Sequence, residues 1–117
     1  MTLKRMVLEI GMGTDIRGAE PTKAAVRALR DALWHNSLSV ADALGQHVDS
    51  MQVEVTIGVQ QPDKVDAAAV QASLPHGKAT VKVVKGGLDV PDDTSGDIAV
   101  IASAAVAVRF EAPLTSG

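Results

Sequence analysis

Cysteine and tyrosine are absent from these 117 residues, and Trp34 and Phe110 are the only aromatics. The first absence excludes a disulfide framework, a thiolate zinc site and a thiol nucleophile. The shortage of rings leaves no platform on which single-stranded bases could stack. Positive charge is also sparse: 11 Lys and Arg stand against 14 Asp and Glu, a formal charge of −3 with no basic run, so nucleic acid is not an expected partner. No long apolar stretch occurs either. Met6 to Ile10 is short and carries Glu9, so it reads as neither signal peptide nor membrane span. No membrane partner is expected, and cytoplasmic residence is the expectation.

What remains is a small aliphatic chain of one domain, residues 1–112, with a short polar tail at 113–117. Its core must come from Val, Leu, Ile, Met and many Ala. Small side chains bury little area each, so a monomer of this composition is held only modestly and self-association is a natural remedy.

Hydrophobic periodicity gives the element order. Leu3 to Ile10 alternates as a strand, with Met6, Leu8 and Ile10 as its apolar set. Pro21 suits the first position of a helix, and Ala25, Val26, Leu29, Ala32 and Leu33 follow at helical spacing to about Asn36. Ser39 to Gly45 reads as a further short helical turn. Met51 to Val59 alternates strictly and predicts a second strand. Pro62-Asp63 opens an Ala-rich helix with Asp63 as its cap, stopped by Pro75 and Gly77. Ala79 to Lys85 is a third strand, Gly86-Gly87 breaks it, and 91–96 reads as a loop tip. Asp97 to Phe110 is apolar on both faces, the mark of a strand covered twice. The expected fold is an α/β (α+β) two-layer sandwich, β-α-β-α-β-β, with two helices on one face of a four-stranded, mostly antiparallel or mixed sheet. The other sheet face, presenting Val7, Ile101 and small residues, is the expected seat of a second subunit.

Between the first strand and first helix, Gly11-Met-Gly13-Thr-Asp15-Ile-Arg17-Gly18 reads as a glycine-punctuated loop. It lacks the third glycine of a dinucleotide fingerprint and the Gly-Lys-Ser/Thr of a P-loop, so no cofactor is expected. Glycine-rich turns that lead into a helix nonetheless expose backbone N–H groups to anions. Gly11, Gly13, Asp15, Arg17, Gly18, Thr22 and Lys23 are therefore candidate ligands for a small anion, with Asp15 also a candidate general base. The competing reading is a tight structural turn with Asp15 and Arg17 paired at the surface.

The run from Ile10 to Gly18, followed by Pro21-Thr-Lys-Ala-Ala-Val-Arg-Ala28, resembles the "Lin" family of conserved hypothetical proteins of bacteria and plants, whose signature is Gly-x-Gly-x-Asp-x-His-Gly. The similarity extends to Leu74-Pro-His-Gly77, Gly86-Gly-Leu88 and Ile101-Ala-Ser-Ala-Ala-Val106. Arg17 stands where the signature has histidine, so a role that needs an imidazole there does not carry over, whereas anion binding does. The resemblance implies a fold and a place to look, and no activity.

His76 in its tight turn is added to the candidate ligands. His35 and His47 have no metal-ligand spacing with it, and no metal site is expected. Ser103 lacks a nucleophile-elbow context and suits a subunit contact. Three functions follow: a binding protein for a small anionic metabolite at 11–18 and 21–23, a non-catalytic homo-oligomeric assembly protein, or a cofactor-free enzyme using Asp15.

Overall fold

The computed structural model describes residues 2–16, 20–33, 52–74 and 78–112, with side chains from residue 8 onward except those of 78 and 110–112. The short helical turn expected at 39–45, His35, His47, His76, Arg17, Gly18 and the 113–117 tail lie outside the described residues.

Strand β1 (Thr2–Asp15) leads to helix α1 (Pro21–Leu33), and β2 (Gln52–Val59) leads through a 3-10 turn (Pro62–Lys64) to the short helix α2 (Ala67–Ala72). Then come β3 (Lys78–Lys85), β4 (Leu88–Pro91) and β5 (Ile98–Ala112). The sheet runs β1-β5-β2-β3, and β4 adds to β5 beyond the end of β2. Both β1 and β2 are antiparallel to β5, while β2 and β3 are parallel. The parallel pair needs a crossover, which the 3-10 turn and α2 supply. The described fold is thus the expected α+β sandwich with a mixed sheet and helices on one face. It has five strands rather than four, because part of the excursion after Gly86-Gly87 pairs with β5, Leu88 opposite Ile101 and Pro91 opposite Ile98.

The long β1 and β5 run side by side and draw the molecule out to 60 × 23 × 22 Å. The core lies between α1, α2 and the sheet: Val53, Val55, Ile57 and Val59 from β2, alternate β5 residues from Val100 to Val108, Leu29 and four alanines of α1, and Val70 of α2. The strict alternation of β2 therefore placed its apolar set on the helix side as read from sequence. Asp66, rather than Asp63, caps α2, its Oδ1 accepting from the N–H groups of Ala68 and Ala69 at 3.1 and 3.2 Å. Pro62 opens the 3-10 turn, and extended Val65 ends it, so the helical signal is split in two.

Candidate functional site

Gly11 and Gly13 do not belong to a loop. They are strand residues, opposite Ala104 and Ala102 of β5, and both are buried. Helix α1 lies directly on them. A Cβ at Gly11 would stand 2.5 Å from the Ala28 carbonyl oxygen, and one at Gly13 would stand 2.5 Å from that of Ala24. Ala24, Ala28 and Ala32 recur every four residues, one above another on a single helix face, and all three are fully buried. Glycines facing alanines let helix and strand backbones touch. The two amides expected to cradle an anion thus sit in the sheet under α1, and β1 extends to Asp15 instead of ending at Ile10.

This contact also decides which way β1 faces. Met6, Leu8 and Ile10 were the expected core set of β1. With glycines on the helix side, Leu8, Ile10 and Met12 point the other way and are 48%, 66% and 59% exposed.

Because β1 is an edge strand, its outer N–H and C=O groups need partners. Two come from α1. The Met12 N–H donates to Asp31 Oδ2 at 2.9 Å, and Arg27 Nη1 donates to the Thr14 carbonyl at 2.6 Å.

Asp15, the candidate base, is 7% exposed and is the buried charged residue of the described set. Oδ2 accepts from the Glu20 N–H at 3.0 Å, and Oδ1 lies 3.5 Å from Arg27 Nη1 in an ion pair. Both oxygens are engaged in closing the β1–α1 connection over residues 16–20. This carboxylate acts as a clasp. Thr22 is occupied too: its Oγ1 accepts from the Asp66 N–H at 2.9 Å and donates to the Lys64 carbonyl at 3.5 Å, tying α1 to the segment before α2. Lys23 is exposed and pairs with Glu20 at 3.3 Å.

Thr22 and Lys23 nonetheless line a groove of about 640 Å3 along the flank of α1, with Val26, Arg27, Arg30 and Lys64. Sequence reading missed the last three of these. The spacing Lys23, Arg27, Arg30 signals one wet helix face, but nothing local brings Lys64 beside it.

On the opposite side no described element covers the sheet. Cross-strand partners share a face, so Leu8, Ile10 and Met12 stand with Ala107, Ala105 and Ser103 of β5, and Leu88 with Ile101. Thr56 and Gly58 of β2 face Ala105 and Ser103 in turn. Small residues along β5 and β2 form a trough between the β1 ridge and Val84 with Leu88, with a depression of about 280 Å3 around Gly58, Ser103 and Ala105. Gly86 and Gly87 border it. The pair lets the chain step across the end of β2, with Gly87 at φ +60° against the Ile101 carbonyl and Gln60 Nε2 donating to the Gly86 and Gly87 carbonyls at 3.1 Å each. Ser103 thus stands on the face away from the helices, and β5 is covered by this chain's described residues on the helix side only.

Among the described residues there is no group of three or more His, Asp or Glu placed to hold a metal ion, and no helix is long and apolar enough to cross a membrane. At the tip beyond β4, the N–H groups of Thr94 and Ser95 hold the Asp92 carboxyl below its ordinary range.

No curated protein matches the sequence. Among solved structures the chain is similar to a FtsZ-like protein of unknown function from Nostoc punctiforme PCC 73102, with 40% identity and a TM-score of 0.84 over 96% of this chain and 99% of that one. The model of a family described as conserved hypothetical protein (Lin0512_fam) matches residues 5–108. With nearly the whole fold inside that match, including the Gly11–Gly13 strand and the helix it carries, the chain belongs to the Lin0512 family of conserved hypothetical proteins.

Proposed function

We propose that this protein is a self-associating subunit whose open sheet face is covered by a second copy. One observation carries the reading: Leu8, Ile10, Met12, Ile16, Leu88 and Val90 are 46–66% exposed along that side of the sheet. Together they present on the order of 600 Å2 of apolar side chain, the top of the ~300–600 Å2 range for the largest patch on a typical monomer. The half-buried Ile101, Ala105 and Ala107 between them bring the face toward the ~800 Å2 per partner of a standard interface. A β1 ridge beside a trough of small residues on one face supports a two-fold contact in which the ridge of each copy enters the trough of the other. The alternative of an enzyme using Asp15 is disfavoured by the engagement of both its oxygens.

Sedimentation velocity from 1 to about 100 μM tests the reading, a range spanning ordinary homodimer affinities. A dimer or larger species is expected for the native chain. Ile10→Glu and Met12→Glu, which charge the ridge without touching the core, are expected to give folded monomers. A native chain that sediments as a monomer throughout overturns the proposal, and so do glutamate variants that assemble as well as the native chain.

A further inference from the structure

We infer that the groove along α1 is a binding site for a small phosphoryl compound, a ligand carrying two or more negative charges on clustered oxygens. The groove gathers Lys23, Arg27 and Arg30 from α1 and Lys64 from the 3-10 turn, four of the 11 cations of a chain whose net charge is −3. Among the described residues that line it, Glu20 is the one acid.

Among the described residues, three carboxylates near these cations are already engaged. Glu20 pairs with Lys23, and Asp15 with Arg27 from beneath the helix. Asp31, four residues after Arg27 and so placed to pair with it on the helix surface, instead accepts from the Met12 N–H on β1. Among the described residues, Arg30 and Lys64 have no carboxylate within 4.0 Å. Lys23 with Arg27, and Arg27 with Arg30, are like-charge neighbours at i,i+4 and i,i+3, an arrangement that costs an isolated helix a few tenths of a kcal/mol per pair. An anion in the groove offsets that repulsion with an attraction to each cation.

The ligand class follows from the donors. Two guanidinium groups offer planar forks that match the paired oxygens of a phosphoryl group, and two ammonium groups add point charge beside them. With Lys23 and Arg27 each facing one carboxylate, Arg30 and Lys64 carry the charge excess of the groove, two positive charges that a doubly charged phosphoryl group matches. The groove runs along about three turns of helix from Glu20 to Arg30, long enough for a diphosphate, and Val26 supplies an apolar contact. It lies on the helix side of the sheet, away from the open face, so occupancy and self-association are separable.

Isothermal titration calorimetry of the full chain with inorganic pyrophosphate at low ionic strength is the test. Saturable binding with one site per protomer is expected. The double variant Arg30→Gln with Lys64→Gln, both exposed positions, is expected to weaken it at least tenfold while keeping the native unfolding midpoint. Lys82→Gln, an exposed cation on β3, is expected to change affinity less than twofold. Absence of saturable heat overturns the site. Equal weakening by Lys82→Gln overturns it as well, since that marks general charge attraction, and tighter binding of citrate than of pyrophosphate overturns the phosphoryl assignment.

Discussion

Gly11 of β1 and Ala28 of α1 meet backbone to backbone: a methyl group at Gly11 would stand 2.5 Å from the Ala28 carbonyl oxygen and 2.9 Å from the Ala32 Cα. Gly13 repeats the contact one helical turn earlier, against Ala24. Neither neighbour can yield, because each is the backbone of a fully buried helix face. The helix must lift off the sheet, or the strand must bend, to admit one carbon.

Gly13→Ala is therefore expected to destabilise the fold by about 3 kcal/mol, lowering the unfolding midpoint by roughly 10 °C. Gly96→Ala is the control. Nothing lies within 4 Å of its Cβ, so only its φ of +76° resists substitution, at about 1 kcal/mol. Calorimetric scans of the two variants should separate crowding from backbone strain; equal shifts would contradict the close packing of α1 on β1.

Asp15→Ala strands the Glu20 N–H and leaves Arg27 without its buried partner, and about 2 kcal/mol of stability should be lost in urea denaturation. Asp15→Asn keeps an acceptor for the Glu20 amide and should lose about half as much. If Asp15 were an exposed base without a structural role, both variants would unfold like the native chain.

Thr22→Val keeps the shape of the side chain but removes the acceptor for the Asp66 N–H, whose loss should cost about 1 kcal/mol. Hydrogen exchange of the Asp66 amide should quicken, while Thr22→Ser should preserve it. An unchanged exchange rate in the valine variant would show that α2 is held to α1 by other contacts.

Gly87 stands at φ +60°, and a methyl group there would lie 2.9 Å from the Gly58 carbonyl oxygen. Gly87→Ala should cost about 3 kcal/mol, strain and clash together, whereas Gln60→Ala, which frees the Gly86 and Gly87 carbonyls, should cost about 1–2 kcal/mol. Urea midpoints measure both; a native-like Gly87→Ala would mean that the chain crosses the end of β2 with room to spare.

Much of the architecture is legible in the amino-acid order. Met51 to Val59 alternates with period two and has one face to bury, so β2 and its core set follow from the pattern. Pro21 and the recurrence of Ala25, Leu29 and Ala32 fix α1 in the same way, since a 3.6-residue period allows one buried stripe. The site was less legible. Alternation in β1 says that Leu8 and Ile10 share a face and Gly11 and Gly13 the other, but not which face meets the helix. A glycine is equally consistent with a turn and with a close approach, and only the presence of Ala24, Ala28 and Ala32 across the gap decides between them.

Local spacing by itself determined the mixed α+β class, the order of the main elements and the β2 core set, and composition the absence of thiols and the scarcity of aromatic rings, because each depends on residues near in sequence or on composition. Tertiary packing decided what the Gly11 to Gly18 motif is for, at least through Asp15. Two glycines became the bed of a helix, a candidate base became a clasp, and the apolar side of β1 turned outward, because a helix laid backbone to backbone on a strand leaves no room there for Leu8 or Ile10. Packing also brought Lys64 to the groove that Arg30 lines, 34 residues away in the chain, a proximity that no local pattern encodes.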